Sequence, residues 1–303
     1  MVDEHPLATT SQEAVGAVGG ATDRLLRPAR LLLGWLPEER ALLNLNSNDV
    51  SRTPTEEQRA RYLAAVEAVQ RRPPGLDQTG VVEDLPPGVL DEHVARLASS
   101  TAAAPFFTEG WRVASVDLAR VAAFQPAVFT DSSAERAAGI DPGNLAELAG
   151  VTLPTEWQFE QQAQLDEARH QWLLVSRNPN LRIVGHYAGN PQPGSPPLFG
   201  FFATIVASFV NIARYHGRYF LRDGYHRSIG LLAVGARRVP AFVRDIDSIQ
   251  ALVPSGMLPQ EAFLGERPPT LTDYTDDVVS AAVQLPASQK MIVVQALELS
   301  PQG

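Results

Sequence analysis

An α+β architecture, with a small mixed sheet and short helices behind a mainly helical N-terminal region, follows from three features of the chain. Apolar and polar residues alternate over short runs, at 111–116 and on both sides of His216-Gly217, as half-buried strands require. Apolar residues at three-to-four spacing are confined to short segments. Prolines punctuate those segments from Pro28 to Pro126 and stop each helix early. The 303 residues are 45% apolar and 19% charged, enough to bury a sizeable core in one or two domains at about 150 residues per domain.

From the N-terminus, 1–24 is rich in Ala, Gly, Thr and Ser without periodicity and reads as flexible. Leu recurs densely over 25–45, broken by Pro28 and Pro37, which predicts short helices. Thr53-Pro54-Thr55-Glu56-Glu57 starts a helix, with Thr53 ahead of a proline at the first helical position; Tyr62, Leu63, Val66 and Val69 share its face, and it ends before Pro73. A further helix spans 90–97. The pattern then predicts a strand at 111–116 and a short helix at 118–124 capped by Asp117 and stopped at Gln125-Pro126. Helices at 144–149 and 156–170 follow, then strand-like arms at 172–176 and 181–185 around a turn at 177–180. A helix starting near Asp276 and a final strand at 291–297 complete the chain. The regions are thus 1–24, a helical 25–105, a core at 106–245 and an extension at 246–303.

Composition excludes whole classes of chemistry. Without cysteine there is no disulfide, zinc–thiolate site, iron–sulfur cluster or thiol nucleophile. With 25 Lys+Arg against 34 Asp+Glu, the net charge of −9 counts against bulk affinity for nucleic acid or anionic membrane. The first residues carry acid where a secretion signal needs basic residues. The longest apolar run, 198–210, falls short of the ~20 residues that span a bilayer and reads as a buried strand or short core helix. The expected setting is the cytoplasm, with no membrane partner.

The chemistry concentrates in 209–245. Two β-type runs flank His216-Gly217, a hairpin with a two-residue loop that pairs Tyr215 with Arg218, Arg214 with Tyr219, Ala213 with Phe220 and Ile212 with Leu221. Its second arm runs into Asp223-Gly224-Tyr225-His226-Arg227, then a short apolar helix ended by Gly235, then a strand at 239–243. The first turn of a helix leaves backbone N–H groups unpaired, with the positive end of its dipole behind them. Gly224 permits a tight turn and close approach of an anion, Arg227 offers a planar fork to phosphate oxygens, and His226 adds a donor. Asp223 can cap the helix or, with a nucleotide present, organise a metal or a sugar hydroxyl. For His226 and Arg227 the competing reading is a capped helix whose arginine pairs with a neighbouring acid. Tyr215 and Tyr219 read as sheet packing in preference to base stacking.

This block, with Gly235 and Val239-Pro240 after it, resembles the ParB/sulfiredoxin superfamily, whose members carry a DGxHR-like or GERR-like turn at the start of a phosphate-binding helix. The strand–helix before Gln125-Pro126 is similar to the segment that opens ParB-type domains, so the resemblance covers about 106–245. It implies a ParB/sulfiredoxin-like core binding a nucleoside triphosphate, ATP or CTP with Mg²⁺, through Asp223, Gly224, Tyr225, His226, Arg227 and Gln125. Sulfiredoxin activity is excluded because the chain lacks cysteine. Free-serine kinases of this fold carry the most similar turn and act on a small hydroxylated acceptor, but they place a catalytic Glu where this chain has Gln125, which cannot serve as a base. Glu109, Asp117 and Asp223 are the candidate catalytic carboxylates. ParB proteins bind CTP and DNA, and here neither a basic helix pair nor the charge balance favours DNA. The implied function is nucleotide-dependent phosphotransfer or hydrolysis. The alternatives are a non-catalytic interaction or regulatory scaffold and a DNA-associated adaptor; the oligomeric state is open.

Other motifs carry less. Gly265-Glu266-Arg267 imitates the ParB-type turn, but Pro268-Pro269 removes the helix amides the site requires. Asp273, Asp276 and Asp277 read as helix capping rather than hard-cation ligands. A lone Glu167-x-x-His170 lacks the second copy a carboxylate-bridged metal centre needs, and Gly16, Gly19 and Gly20 lack the Lys-Ser/Thr of a phosphate loop.

Overall fold

The computed structural model describes residues 26–156, 163–176, 178, 180–190, 194–252, 257–287 and 290–295. Along the chain these form β1 (Leu26–Leu31), α1 (Glu38–Leu45), α2 (Glu56–Arg71), β2 (Val82–Glu83), α3 (Asp91–Ser99), α4 (Ala104–Thr108), β3 (Arg112–Asp117), β4 (Ala127–Phe129), α5 (Thr130–Ala137) and α6 (Leu145–Thr152). There follow β5 (Gln164–Asp166), β6 (Gln171–Ser176), β7 (Leu181–Gly189), β8 (Leu198–Ile205), β9 (Asn211–Tyr215), β10 (Arg218–Asp223), α7 (Tyr225–Ala233), β11 (Arg238–Asp245), α8 (Ile249–Leu252), α9 (Gln260–Leu264), β12 (Ala281–Pro286) and β13 (Lys290–Gln295). The protein is α+β, built on several small sheets.

The central sheet has the order β10-β9-β11-β3-β2 and is mixed: β11 lies parallel to β9 and antiparallel to β3. Its hairpin pairs Tyr215 with Arg218, Arg214 with Tyr219, Ala213 with Phe220 and Ile212 with Leu221, the register expected from the sequence. His216 and Gly217 both take positive φ, 47° and 77°, as the tight two-residue loop demands. Arg214 lies over the Tyr219 ring at 5.6 Å, so these aromatics serve the sheet.

A second sheet, β12-β1-β4, joins the two ends of the described chain. Residues 26–31 are therefore a strand, not a helix as the leucine spacing suggests, and only the distant partner β12 reveals it. Pro28 lies outside the span paired with β4, and Pro240 outside the span that pairs β11 with β9, so each missing N–H falls where its strand has one neighbour. One continuous hydrophobic core takes in Leu31, Val69, Phe124, Phe220, Phe242, Phe263 and Val283, so the regions before 106 and after 245 pack into the same interior as the centre.

Several local expectations shift. The cap of α2 is Thr55, not Thr53: its Oγ1 accepts from Gln58 N–H at 3.2 Å while Gln58 Oε1 accepts from Thr55 N–H at 2.9 Å, a reciprocal box. Thr55→Ala is expected to destabilise the protein by about 1 kcal/mol and Thr53→Ala to leave it unchanged, measured by urea unfolding. The helix after Asp117 contracts to a 3-10 turn, Leu118–Arg120, because Ala122 leaves it to bond the hairpin at Tyr219 and Leu221. Of the helix expected at 156–170, 157–162 lie outside the described residues; the remainder is β5 and a 3-10 turn, Glu167–Arg169, with His170 left-handed at φ 50°. Glu167 and His170 thus share no helix face. The arms around 177–180 are strands, but β6 pairs with β5 and β13 and β7 with β8, so they form no hairpin with each other. No helix starts near Asp276: Asp273 and Asp276 bind Arg72 at 2.8 and 3.1 Å, and Asp277 binds Arg30 at 2.7 Å. The run expected to be buried at 198–210 forms the exposed β8 in its first half. The final strand is β13, with 296–297 outside the described residues, as are 1–24 and the glycines at 16, 19 and 20. No helix among the described residues is long and apolar enough to cross a membrane.

Candidate functional site

The expected helix stands where the sequence puts it. Strand β10 ends at Asp223, Gly224 turns at φ +97°, and α7 begins at Tyr225. A Cβ on Gly224 would sit 2.7 Å from Val210 Cγ2 and 3.0 Å from its Cα, so both the dihedral and the space call for glycine. Asp223 Oδ1 accepts from Gly224 N–H at 2.6 Å and its Oδ2 from Ser208 Oγ–H at 2.8 Å. No side chain caps α7, which leaves the first-turn amides of Tyr225, His226 and Arg227 without a side-chain acceptor.

That helix start opens on a cleft of ≈ 740 Å³, within the usual range for small-molecule sites. Asp223 to Arg227 line it together with Gln125, and so do residues the sequence did not single out: Arg27 from β1, Ser132, Glu135 and Arg136 from α5, Glu156 after α6, Asn178 and Asn180 between β6 and β7, and Ile205 and Val206 at the end of β8. Arg27 is engaged, holding Asp131 through two nitrogens at 2.7 and 2.8 Å, and that hydrogen-bonded pair keeps the Asp131 carboxyl below the ordinary range.

Arg136 and Arg227 are different. Among the described residues neither forms an ion pair, and Arg227 Nη1 donates to the Ser208 carbonyl at 2.6 Å. Burial first, and then the nearby Arg136 cation, push the Arg227 pKa down to about 10, with Asp223 opposing. Arg227 therefore stays charged at neutral pH beside a second guanidinium that forms no ion pair among the described residues.

His226 plays another part than expected. Its Nε2 accepts from the Phe129 N–H at 3.2 Å, and its ring lies parallel to Phe129. A lone pair must face that N–H, so the ring is neutral and Nδ1 carries its one proton. Burial, then Arg136 and Arg27, push its pKa down to about 4, with Asp131 pulling the other way.

No protein family, curated protein or solved structure matches the chain.

The remaining expected site residues separate. Tyr225 is buried; its hydroxyl accepts from Phe124 N–H at 3.0 Å and Gln125 N–H at 3.3 Å, and burial raises its pKa, so it braces the 124–125 segment beneath the cleft. Gln125 lines the cleft but spends its amide N–H on the Ala127 carbonyl at 2.6 Å. Glu109 and Asp117 do not line it. Glu109 accepts from Trp111 Nε1 and Arg244 near one end of β3, while Asp117, at the other, is buried between Arg237 at 2.8 Å and Arg120 at 3.1 Å. Burial pushes the Asp117 carboxyl up, but those two guanidinium bonds outweigh it and hold it below the ordinary range. It is a structural ion pair. The carboxylates at the cleft are Asp223, Glu135 and Glu156, all exposed.

Proposed function

We propose that this cleft binds a nucleotide or another phosphate-bearing ligand, on a ParB/sulfiredoxin-like core. One observation carries the reading: two guanidiniums, Arg136 and Arg227, line one cleft without carboxylate partners among the described residues, beside an uncapped helix start. Like charges set close together, Arg227 half-buried and Arg136 exposed, are unfavourable until an anion lies between them, and planar guanidinium forks match phosphate oxygens in pairs. The first-turn amides of α7 add neutral donors to the same ligand.

The donor set also fits the metal such a ligand brings. The cleft offers carboxylate oxygens, Asp223 beside the helix start among them, to Mg²⁺ carried in on the phosphates, and the ion would supply charge neutralisation there. For phosphoryl transfer to a small hydroxylated acceptor, the hydroxyl proton needs a carboxylate. Gln125 cannot take it, and Asp223, Glu135 and Glu156 are the groups within the cleft. Their exposure favours the second reading, a nucleotide sensor or scaffold without turnover, because an exposed carboxylate lacks the burial that usually tunes a base. Conversion of ATP or CTP to its diphosphate in the presence of a hydroxylated acceptor separates the two. For the DNA-associated alternative the test is a mobility shift with DNA at low salt, and no shift there would sink it.

The ligand itself is tested by thermal shift and calorimetry with ATP, ADP, CTP and GTP plus Mg²⁺. At 100 times its dissociation constant a true ligand adds about 2.7 kcal/mol of stability. Arg227→Ala and Arg136→Ala are each expected to abolish most of that gain. If none of the nucleotides shifts the wild-type protein, the nucleotide reading fails.

A further inference from the structure

Among the described residues the β7–β8 hairpin has no cover. Its strands pair with each other alone, so among the described residues both outer edges lack a partner. It is rooted by the fully buried Leu181 and by the Val206 N–H bonded to the Asn180 carbonyl at 2.9 Å. Beyond that root its large apolar side chains face water: Phe199 is 65% exposed, Phe202 56% and Phe201 49%, with Ile183, Val184 and Tyr187 also exposed. Consecutive strand residues point to opposite faces, so Phe201 and Phe202 make both faces apolar. A two-stranded hairpin is at best marginal in water, and one apolar on both faces needs a partner surface.

We propose that this hairpin is where two copies of the chain associate. Charge selects a second copy. With a net charge of −9, two copies repel over most of their surface. The hairpin strands carry no acidic residue, and their one residue charged at neutral pH is cationic, Arg182, so this is where like-charged copies can approach. The area also suits. Four aromatic side chains of 150–250 Å² each, about half exposed, with their aliphatic neighbours give roughly 700 Å² over the two faces together, so the second copy must enclose both faces to approach the ~800 Å² each partner contributes to a stable interface. The edges lack the lysines and prolines that keep exposed strands apart. A twofold arrangement buries the same residues on both copies, so every substitution acts twice. Because Asn180, Ile205 and Val206 at the hairpin root also line the cleft, association fixes one cleft wall.

Sedimentation velocity on the full chain from about 1 to 100 μM tests this, since interfaces of this size dissociate at micromolar or lower concentrations. The wild type is expected to form dimers, and Phe199→Asp/Phe202→Asp to raise the dissociation constant by at least about a hundredfold, because desolvating two carboxylates per copy opposes association. Amide exchange on the wild type is the second readout: protection of 181–205 should rise with concentration, which decides the matter if the variant misfolds. A monomer throughout the range, a variant that dimerises as tightly as wild type, or exchange independent of concentration overturns the proposal. A monomer that pellets with phosphatidylcholine vesicles also overturns it and assigns the hairpin to a lipid surface. None of these outcomes depends on nucleotide binding.

Discussion

Gly230→Ala is expected to destabilise the protein by about 2–3 kcal/mol, although alanine is the better helix former. Gly230 lies inside α7, and its φ is not in the left-handed region, so propensity alone would favour alanine by up to ~1 kcal/mol. Space decides otherwise. A Cβ there would sit 2.1 Å from the Ser133 carbonyl oxygen and 3.0 Å from Ala137 Cβ, both on α5. The obstacle is main chain, so no rotamer change relieves it and α5 must move, at the upper end of the usual cost of overpacking a core. Gly150 in α6 is the control: nothing lies within 4 Å of its Cβ position, and Gly150→Ala should stabilise by about 0.5–1 kcal/mol. Urea unfolding of both variants checks the pair, and a Gly230→Ala protein as stable as wild type would refute the helix contact. The contact matters for the site because α5 carries Glu135 and Arg136 and α7 carries His226 and Arg227; separating the helices should also weaken any anion bound between the two guanidiniums.

The half of the site on α7 was legible because its signals are local. A two-residue loop fixes the hairpin register residue by residue, and Gly224 and Gly235 bracket the helix. The half on α5 was not. Its sequence, from Thr130 to Ala137, holds two serines and a threonine and little apolar periodicity, and the helix is held by Gly230 and by the Phe129–His226 bond about a hundred residues away. Strand β1 escaped for the same reason, since β12 lies some 250 residues on. Glu109 and Asp117 looked equivalent in the sequence because both flank one strand, yet a six-residue strand is about 20 Å long, so they cannot serve one site together. Hairpin β7–β8 misled in a different way: an uninterrupted apolar run normally means burial, and here the run is exposed.

Acid should loosen the fold at His226 before it reaches the carboxylates. The ring is neutral in the folded protein, where its pKa is pushed down to about 4, against an ordinary value of 6.5. Its contribution is therefore fully present above about pH 6.5 and is lost as pH falls from there towards 4, because the unfolded chain takes up the proton first. The shift corresponds to an upper limit of about 3 kcal/mol. Asp117 and Asp131 are held below their ordinary range, so their contributions persist above about pH 4 and do not enter this window. The physical cause is twofold. A proton on Nε2 would set two donors against each other at the Phe129 N–H, undoing the bond that leads into α5. It would also add a cation among Arg136 on α5, Arg27 on β1 and Arg227 on α7 itself, with Asp131 alone in opposition. Urea unfolding at pH 7.5, 6 and 4.5 should show wild type losing about 2–3 kcal/mol. His226→Gln, whose amide oxygen can accept from Phe129 but does not titrate, should lose far less over the same interval. Parallel pH profiles for the two proteins would show that His226 is not the group buried neutral against those arginines.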